Sequence, residues 1–412
     1  MNSTGKEKKE KTATGKILSV EGDLRKTIKG LLKKLLKNNT LDAVLVPMKA
    51  PETESYAWVL LEDETLLDAA DPLPPVMTVQ GGRALDSITK QGDVYLKIGA
   101  LMRPCEIRAA VELYKLNQVK LEHIHLISID CPGALPLKEY MDNPIKSKEN
   151  FEKIVQKGDK NEALRPVCQI CQHFSLLSSP STEETKASSS PDTENHSAAD
   201  LHIGFFGGNG KKLCLTASTS KGKDLLEKLE LSQDDSLEYW KAAGEKIRQS
   251  ALKNRESFNK EWQEKIGGIE NFTTALDACI NCHNCMRVCP VCYCQQCYFD
   301  SKILENSPET YLQRAQERGS LRFPLDTLLF HLGRMSHMVL SCVSCGACED
   351  ACPMSVPVSQ IFSMVGDQTQ KSFQYVPGTD RNVPLPLQSF LKDEFCEVEI
   401  PCECDQSLLG KA

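Results

Sequence analysis

Two cysteine-rich runs carry the clearest chemical signal in this 412-residue sequence. Each run follows the pattern C-x2-C-x2-C-x3-C-P, which is typical of cysteines that hold a pair of 4Fe–4S clusters. The first run consists of Cys279, Cys282, Cys285, Cys289 and Pro290. The second run consists of Cys342, Cys345, Cys348, Cys352 and Pro353. The repeated pattern predicts an electron-transfer site with two clusters.

The spacing also predicts how the two clusters share their ligands. Three cysteines of a run bind one cluster, and the fourth cysteine binds the other cluster. One predicted ligand set is Cys279, Cys282, Cys285 and Cys352. The other predicted set is Cys342, Cys345, Cys348 and Cys289. Zinc is the alternative, but structural zinc sites usually use separated C-x2-C pairs, and this pattern fits them poorly.

Three further cysteines follow the first run: Cys292, Cys294 and Cys297. They could form part of another metal site with an outside ligand, line a cluster pocket, or bind zinc. Three thiolates fall short of the four that a cluster normally takes, so a further metal site is the weaker interpretation.

Two histidines, His331 and His337, lie in the segment between the runs. A ligand or redox-tuning role is one interpretation, but packed or surface histidines are expected because the cysteines already complete both clusters. Cys396, Cys402 and Cys404 lie in a polar, proline-containing C-terminal segment and are predicted to be unliganded.

The composition narrows the class of protein. A hydrophobic content of 41% and a charged content of 25% are ordinary for globular domains. The net charge of −7 does not favour nucleic-acid binding. The sequence has no long apolar run for a membrane span and no secretory signal at its start. Its nineteen cysteines are therefore predicted to be reduced thiols in a cytoplasm, and an anaerobic cytoplasm is the reasonable expectation.

The first half of the chain has an α/β pattern, in which apolar strands alternate with amphipathic helices. The predicted strands are 42–48, 56–62, 93–99 and 123–130, and a further strand precedes the glycines near 204. A helix over 105–118 lies between the last two of the four. Residues 178–199 are rich in Ser, Thr, Glu and Pro and are predicted to be a disordered insert.

The strand–helix–strand unit brings two isolated cysteines together. Cys105 and Cys131 both follow the carboxyl ends of predicted parallel strands, at the sheet edge where open α/β sheets bind ligands. Cys168 and Cys171 add a C-x2-C pair and bring the total to four thiols, the number that a third 4Fe–4S cluster takes. A buried structural thiol at Cys105 and a zinc half-site at Cys168 and Cys171 are the alternatives.

The second half of the chain is predicted to be α-helical. A long helix over about 235–266 has one apolar face, and it either joins two domains as a strut or packs along its own domain. Ser307, Pro308 and Gly319 predict the start and end of a helix between the cysteine runs, and Pro324 opens another. The predicted units are a disordered tail (1–15), an α/β domain (16–235), a connecting helix (236–268), an α-helical ferredoxin domain (269–375) and a C-terminal tail (376–412).

Four segments resemble a known family. RPCEIRAAVELYKL, ISIDCPGA, RPVCQICQ and ADLHIGFFGGNG, in that order, are similar to the flavin- and cluster-binding beta subunits of coenzyme F420-reducing hydrogenases and formate dehydrogenases. The 270–375 segment resembles the helical ferredoxin part of the formate dehydrogenase members and of heterodisulfide reductase partners. Some relatives have the opposite domain order, and the 178–199 insert lengthens the segment near the cofactor. The resemblance implies an FAD beside a cluster held by Cys105, Cys131, Cys168 and Cys171.

Glycine clusters are the candidate flavin-binding positions. Gly81, Gly82 and Arg83 open an amphipathic stretch, and Gly207 and Gly208 follow a strand. Backbone amides there could approach a phosphate, although a lone glycine cluster is more often a turn. The sequence has no Walker A motif and no Rossmann fingerprint.

Together these features predict an oxidoreductase subunit that passes electrons between a two-electron carrier, through FAD, and iron–sulfur clusters. The carrier would be coenzyme F420 or a nicotinamide. No catalytic acid–base residues stand out, so a catalytic metal site would lie on a partner dehydrogenase or hydrogenase subunit, and heterodisulfide-reductase-like subunits are further candidate partners. The alternative is a flavin-free iron–sulfur adaptor, and a zinc-stabilised interaction protein is a third interpretation.

Overall fold

The computed structural model describes residues 14–386 and 388, except 21, 93, 159, 176–197, 232 and 233. The predicted N-terminal tail and the predicted disordered insert therefore lie almost entirely outside the described residues. Most of the predicted C-terminal tail, with Cys396, Cys402 and Cys404, also lies outside them.

The first half of the chain forms an eight-stranded mixed sheet, with the spatial order β3-β2-β4-β5-β6-β7-β1-β8. The strands from β2 to β6 in that order pair in parallel, and the remaining pairs are antiparallel. The strands are β1 Thr14–Ser19, β2 Ala43–Lys49, β3 Tyr56–Leu61, β4 Ile98–Met102, β5 Ile124–Ile129, β6 Leu201–Gly204, β7 Lys212–Ala217 and β8 Asp234–Ser236.

Helices cover this sheet and build the second half of the chain. Those of the first half are α1 Leu24–Lys37, α2 Gly81–Thr89, α3 Pro104–Lys115, α4 Leu137–Asp142, α5 Pro144–Lys157, α6 Pro166–Gln169 and α7 Ser220–Lys228. Those that follow are α8 Glu238–Ile266, α9 Ile269–Ala275, α10 Asn284–Arg287, α11 Pro308–Arg318, α12 Thr327–Met338, α13 Ala347–Asp350 and α14 Val358–Ser372. Short 3-10 turns cover Glu64–Ala69, Tyr298–Asp300 and Lys302–Leu304.

The predicted strand–helix–strand unit is present. β4 and β5 pair in parallel, and α3 connects them. The predicted strand 93–99 is displaced, because the strand is Ile98–Met102 and all five of its residues are buried. Tyr95 is 85% exposed, so the apolar residues that suggested the earlier start lie in the approach to the strand.

The long helix α8 joins two apolar cores. Trp240, near its start, packs in the core of the sheet region, and Trp262, near its end, packs with the aromatic core around Phe330 and Phe362. Burial at both ends agrees with a strut between two units. Gly267 ends the helix, as predicted.

The helix between the cysteine runs has the predicted boundaries. The Ser307 hydroxyl accepts a hydrogen bond from the Thr310 amide, Pro308 takes the first helical position, and Gly319 adopts a left-handed conformation with φ of 78° at the end. These are the interactions that satisfy the free backbone groups at helix ends.

After α14 the chain returns to the sheet region, at the start of the predicted C-terminal tail. The Glu112 carboxylate on α3 accepts hydrogen bonds from the Tyr375 hydroxyl (2.5 Å) and the Gly378 amide (2.7 Å). Arg108 donates to the Pro377 carbonyl, and Arg381 forms an ion pair with the buried Asp200. We call residues 375–381 the return segment.

The architecture is thus a mixed sheet with helices, followed by a helical region that contains both cysteine runs. None of the helices within the described ranges has the length and apolar character needed to cross a membrane.

Candidate iron–sulfur centres

The structure brings the first predicted ligand set around one cavity. We call this set array 1, and it consists of Cys279, Cys282, Cys285 and Cys352, which all line the cavity. Three of its cysteines lie in and just before the short helix α10, and the fourth follows α13. The fourth cysteine of the second run therefore lies beside the first run, as the spacing predicts.

The second predicted set surrounds a neighbouring cavity. We call it array 2, and it consists of Cys289, Cys342, Cys345 and Cys348. In the described part of the chain, no group of three or more His, Cys, Asp or Glu side chains is arranged to hold a single metal ion. A cubane binds its four thiolates on separate iron atoms, so its ligands surround a cavity and do not converge on one point.

Backbone geometry turns the cysteines of both arrays inward. Asn281 and Ser344, which lie between ligands of each run, have left-handed φ angles of 54° and 53°. Amides then point at sulfur, since Asn281 N lies 3.4 Å from Cys279 Sγ and Val356 N lies 3.3 Å from Cys352 Sγ. Hydrogen bonds from amides to ligand sulfur are a feature of iron–sulfur sites, so the residues present fit clusters.

Burial favours the neutral form of several of these thiols when no metal is bound. It raises the pKa of Cys285 and of Cys342 to about 11 and that of Cys345 to about 12. Metal binding must therefore displace protons from the thiols, as is usual for cysteine sites.

The third set, which we call array 3, is assembled by the sheet and consists of Cys105, Cys131, Cys168 and Cys171. Cys105 lies in the first turn of α3, Cys131 follows β5, and Cys168 lies in α6. Burial raises the pKa of Cys131 to about 12, and the nearby Cys168 and Cys171 thiols act in the same direction. Burial also raises the pKa of Cys105 well above its ordinary value, and Cys131 and Cys171 contribute. The thiols of array 3 are therefore close enough to act on one another, and each is half-buried.

Positive groups border array 3. Lys160 donates hydrogen bonds to the carbonyls of Cys168 (2.9 Å) and Cys171 (2.8 Å). Arg103 opposes the burial effect on Cys131 by lowering its pKa. These cations would offset the negative charge of a bound cluster.

Arrays 2 and 3 lie next to each other. Cys345 of array 2 is close enough to Cys105 of array 3 to raise its pKa. Arg165, which precedes α6, donates to the Cys345 carbonyl (3.0 Å) and the Met77 carbonyl (3.1 Å), and it also pairs with Asp350. The sheet region and the helical region thus meet where the two arrays meet.

The candidate tuning histidines differ in position. His331 is buried, and its Nε2 lies 3.4 Å from Cys279 Sγ. Burial lowers the pKa of His331 to about 4, so the ring is neutral at neutral pH. His337 is exposed. Arg334, one turn after His331, donates to Cys285 Sγ at 3.1 Å, and the sequence analysis did not single it out.

Two of the three extra cysteines, Cys292 and Cys297, have separate sulfur neighbours. The Cys292 thiol lies beside Cys289, and their hydrogen bond lowers the pKa of Cys289. Cys297 Sγ lies 3.4 Å from Met286 Sδ, and Cys294 is exposed. Cys292 is not among the residues that line the cavities of arrays 1 and 2, so the roles of these three cysteines stay predictions.

The candidate flavin-binding glycines occupy packed positions. The Gly81 amide donates to Glu106, and the Gly82 amide donates to Gln80 Oε1. A Cβ at Gly81 would lie 2.7 Å from the Trp58 ring, so this glycine allows α2 to approach its neighbours closely. Arg83 donates to the Cys292 carbonyl at 3.2 Å.

The second glycine pair lies in the turn between β6 and β7. Gly207 has a φ of 73°, and a Cβ there would lie 2.7 Å from the Tyr239 carbonyl oxygen. A Cβ at Gly208 would lie 2.4 Å from the Lys212 carbonyl oxygen. The flavin-binding role of both glycine pairs stays a prediction.

A cavity of about 840 Å³ lies between the sheet region and the helical region. Cys171 of array 3 and Cys342 of array 2 both line it. Arg108, Arg255 and Lys371 bring positive charge to its wall, and Glu256 and Asp367, which pairs with Arg255, partly offset it. Its size lies within the usual range for small-molecule and cofactor sites.

Comparison with known proteins supports the iron–sulfur interpretation. The family described as "4Fe-4S dicluster domain" matches residues 275–356, which contain both cysteine runs.

Two curated proteins are similar over most of their length. The F420-dependent formate dehydrogenase 1 subunit beta of Methanococcus maripaludis is 29% identical over 393 residues, covering 89% of this chain and 94% of that protein. The F420-dependent formate dehydrogenase subunit beta of Methanocaldococcus jannaschii is 25% identical over 388 residues, covering 87% of this chain and 92% of that protein. These relatives are oxidoreductase subunits, and they confirm the predicted resemblance.

A solved structure, titled as a xenon derivatization of the F420-reducing [NiFe] hydrogenase complex from Methanosarcina barkeri, contains a similar chain. The alignment has a TM-score of 0.42 and 14% identity, and it covers 62% of this chain and 95% of that chain. A TM-score this low does not establish a common fold.

Proposed function

We propose that this chain, an oxidoreductase subunit homologous to F420-dependent formate dehydrogenase beta subunits, uses three cysteine arrays to hold 4Fe–4S clusters for electron transfer. The observation that carries the proposal is the pair of cavities lined by arrays 1 and 2. Each cavity is lined by three cysteines of one run and the fourth cysteine of the other run.

The arrays form a continuous series through the protein. Array 3 adjoins array 2 at the cavity that Cys171 and Cys342 both line. Cys285 lines the cavity of array 1 and Cys289 lines that of array 2, so the short segment between these two cysteines connects the arrays. When bound, 4Fe–4S clusters carry single electrons, and the protein sets their potentials by burial and by hydrogen bonds to sulfur.

FAD is part of the same proposal. The cavity of about 840 Å³ supports it, because the cavity has the size of a cofactor site and lies beside a cysteine of array 2 and one of array 3. Arg255 and Lys371 would hold the phosphates there, and the predicted glycine positions are the alternative site. A bound FAD would exchange electron pairs with a two-electron carrier and single electrons with the clusters.

The two-electron carrier is proposed to be coenzyme F420, because both curated relatives are named as F420-dependent. A nicotinamide is the alternative. Both relatives are also named as beta subunits, which supports a catalytic dehydrogenase or hydrogenase subunit as the partner, and we assign the substrate chemistry to that partner. A reducing cytoplasm is the proposed location, because the described cysteines are free thiols.

Anaerobic purification of the full chain, followed by metal, sulfide and flavin analysis, tests the proposal. Three clusters correspond to about twelve iron and about twelve sulfide per chain, and one FAD is expected. Reduced F420 and NADH are then added separately to the oxidised protein, and bleaching of the flavin and cluster absorbance identifies the carrier.

The contrary outcomes have different meanings. Iron and sulfide without flavin would support the flavin-free adaptor, and the FAD part of the proposal would be wrong. Zinc without sulfide would contradict the whole proposal. About eight iron atoms per chain with normal flavin content would contradict only the assignment of a cluster to array 3.

A further inference from the structure

Arg334 is a buried cation beside array 1. It lies on α12 and is 2% exposed. One guanidinium nitrogen, Nη1, lies 3.1 Å from Cys285 Sγ, and the other, Nη2, lies 3.2 Å from the Cys285 carbonyl oxygen. The guanidinium is therefore hydrogen-bonded to the sulfur and to the backbone of a proposed cluster ligand.

The surroundings of Arg334 are otherwise apolar. Its guanidinium lies 4.8 Å from the centre of the Phe362 ring and 5.5 Å from that of Phe330. Nη2 also lies 3.7 Å from Met338 Sδ, and the buried Nε has no hydrogen-bond partner. Within the described ranges, no Asp or Glu forms an ion pair with it.

A buried guanidinium without a carboxylate is costly unless other anions compensate its charge. Arg334 contacts Cys285 and Phe330, which line the array 1 cavity, and it contacts Met338 and Phe362, which line the array 2 cavity. Arg334 therefore lies between the two cavities, where the charge of bound clusters would compensate it.

We propose that Arg334 is a positioning residue whose fixed positive charge raises the reduction potentials of both clusters, and that of the array 1 cluster more. The inference rests on the proposed function. Reduction adds one electron from the preceding donor to a cluster, with no bond made or broken. Because the reduced cluster is more negative, a nearby buried cation stabilises it more than the oxidised cluster. The direct hydrogen bond to Cys285 Sγ makes the effect larger for array 1.

The test compares two substitutions, Arg334→Lys and Arg334→Gln, in the full chain purified without oxygen. Both replacement side chains are shorter than arginine, but only lysine keeps the charge. Arg287→Gln is the matched control, because Arg287 is an arginine within the first run but its side chain is 60% exposed. Redox titration followed by low-temperature electron paramagnetic resonance measures each cluster potential, and iron and sulfide analysis measures occupancy.

The expected result for Arg334→Gln is a shift of the array 1 potential to a lower value and a smaller shift in the same direction for array 2. Arg334→Lys should keep most of the wild-type potential, and Arg287→Gln should leave both potentials unchanged. If the glutamine variant loses the array 1 cluster while the lysine variant retains it, this result would also support the proposal that the positive charge at position 334 stabilises the cluster.

The proposal is overturned if the lysine and glutamine variants behave alike, either with wild-type potentials or with equal loss of the cluster. A wild-type protein that contains no 4Fe–4S cluster would contradict the proposed function itself. Occupied wild-type clusters with potentials that do not depend on the charge at position 334 would contradict only this inference.

Discussion

Arrays 1 and 3 present similar sets of four cysteines through different kinds of structure. In array 1, three cysteines follow one another within a single turn-rich segment, and left-handed residues such as Asn281 direct their side chains inward. In array 3, Cys105, Cys131 and Cys168 come from different elements of the sheet region. The first kind of site depends on local backbone geometry, whereas the second depends on the tertiary fold.

The two arrays also differ in how positive charge reaches them. Array 3 has cations at its border, and Lys160 contacts backbone carbonyls of the cysteines. Array 1 has a buried guanidinium that contacts a cysteine sulfur directly. Buried arginines lie near both arrays, Arg103 near array 3 and Arg334 near array 1, so the difference lies in the contact that is made: Lys160 donates to backbone carbonyls, whereas Arg334 donates to a cysteine sulfur.

The largest effect is expected for Cys348→Ala. This change removes one proposed ligand of array 2, which lies between the other two arrays, so the protein should lose about four iron and about four sulfide per chain. Electron transfer between arrays 3 and 1 should be lost as well. The sheet region should remain folded, as measured by circular dichroism and by flavin content.

Cys294→Ser is the control for Cys348→Ala, because Cys294 is exposed and lies outside the three arrays. It should retain all iron. Full iron content in the Cys348→Ala protein would show that Cys348 is not a ligand.

Cys131→Ala tests whether the sheet-assembled site is independent. The array 3 cluster should be lost, again about four iron per chain, while the paramagnetic signals of the other two clusters remain. Loss of all three clusters would mean that array 3 and the helical region do not assemble separately, and the contrast between local and tertiary sites would fail.

Arg165→Gln tests the contact between the two regions. Arg165 is 2% exposed, and its removal leaves Asp350 without its ion-pair partner, so the free energy of unfolding should fall by about 3–5 kcal/mol. Urea unfolding monitored by circular dichroism provides the measurement. Arg322→Gln is the comparison, since its pair with Asp277 is about 60% exposed on each side and should contribute less than about 1 kcal/mol. Equal losses in the two variants would argue against a special role for Arg165.

The smallest effect is expected for Arg83→Met, which removes a single hydrogen bond to the Cys292 carbonyl. The expected loss of unfolding free energy is about 1 kcal/mol. The flavin content of the purified variant provides a second measurement. A decrease in flavin would favour the sequence-based flavin site at Gly81–Arg83 over the cavity beside Cys171.

Sequence reasoning succeeded where a feature depends on neighbouring residues. The spacing of the cysteine runs predicted which cysteines line each cavity, and Ser307, Pro308 and Gly319 predicted the limits of α11. The prediction of array 3 also required the parallel pairing of β4 and β5, which the strand–helix–strand pattern of the sequence indicated.

Features that depend on distant contacts were not predictable. Arg334 and Arg165 look like ordinary helix and loop arginines, because nothing in their sequence neighbours marks a buried guanidinium. The start of β4 was misplaced because the exposed Tyr95 and Leu96 are apolar. The antiparallel pairing of β1 with β7 joins residues from opposite ends of the sheet region, which periodicity does not detect.

The return segment brings the chain back to the sheet region after the helical region, and a division into consecutive domains does not show this contact. The helical region begins at the end of α8 and finishes at residues 375–381, and both connections are anchored to the sheet region by buried contacts. The helical region is therefore connected to the sheet region at both its beginning and its end. A stop codon near residue 373 would remove the Tyr375 and Gly378 hydrogen bonds to Glu112 and leave Lys115 as its ion-pair partner, so truncation after the helical region should lower the stability of the sheet region.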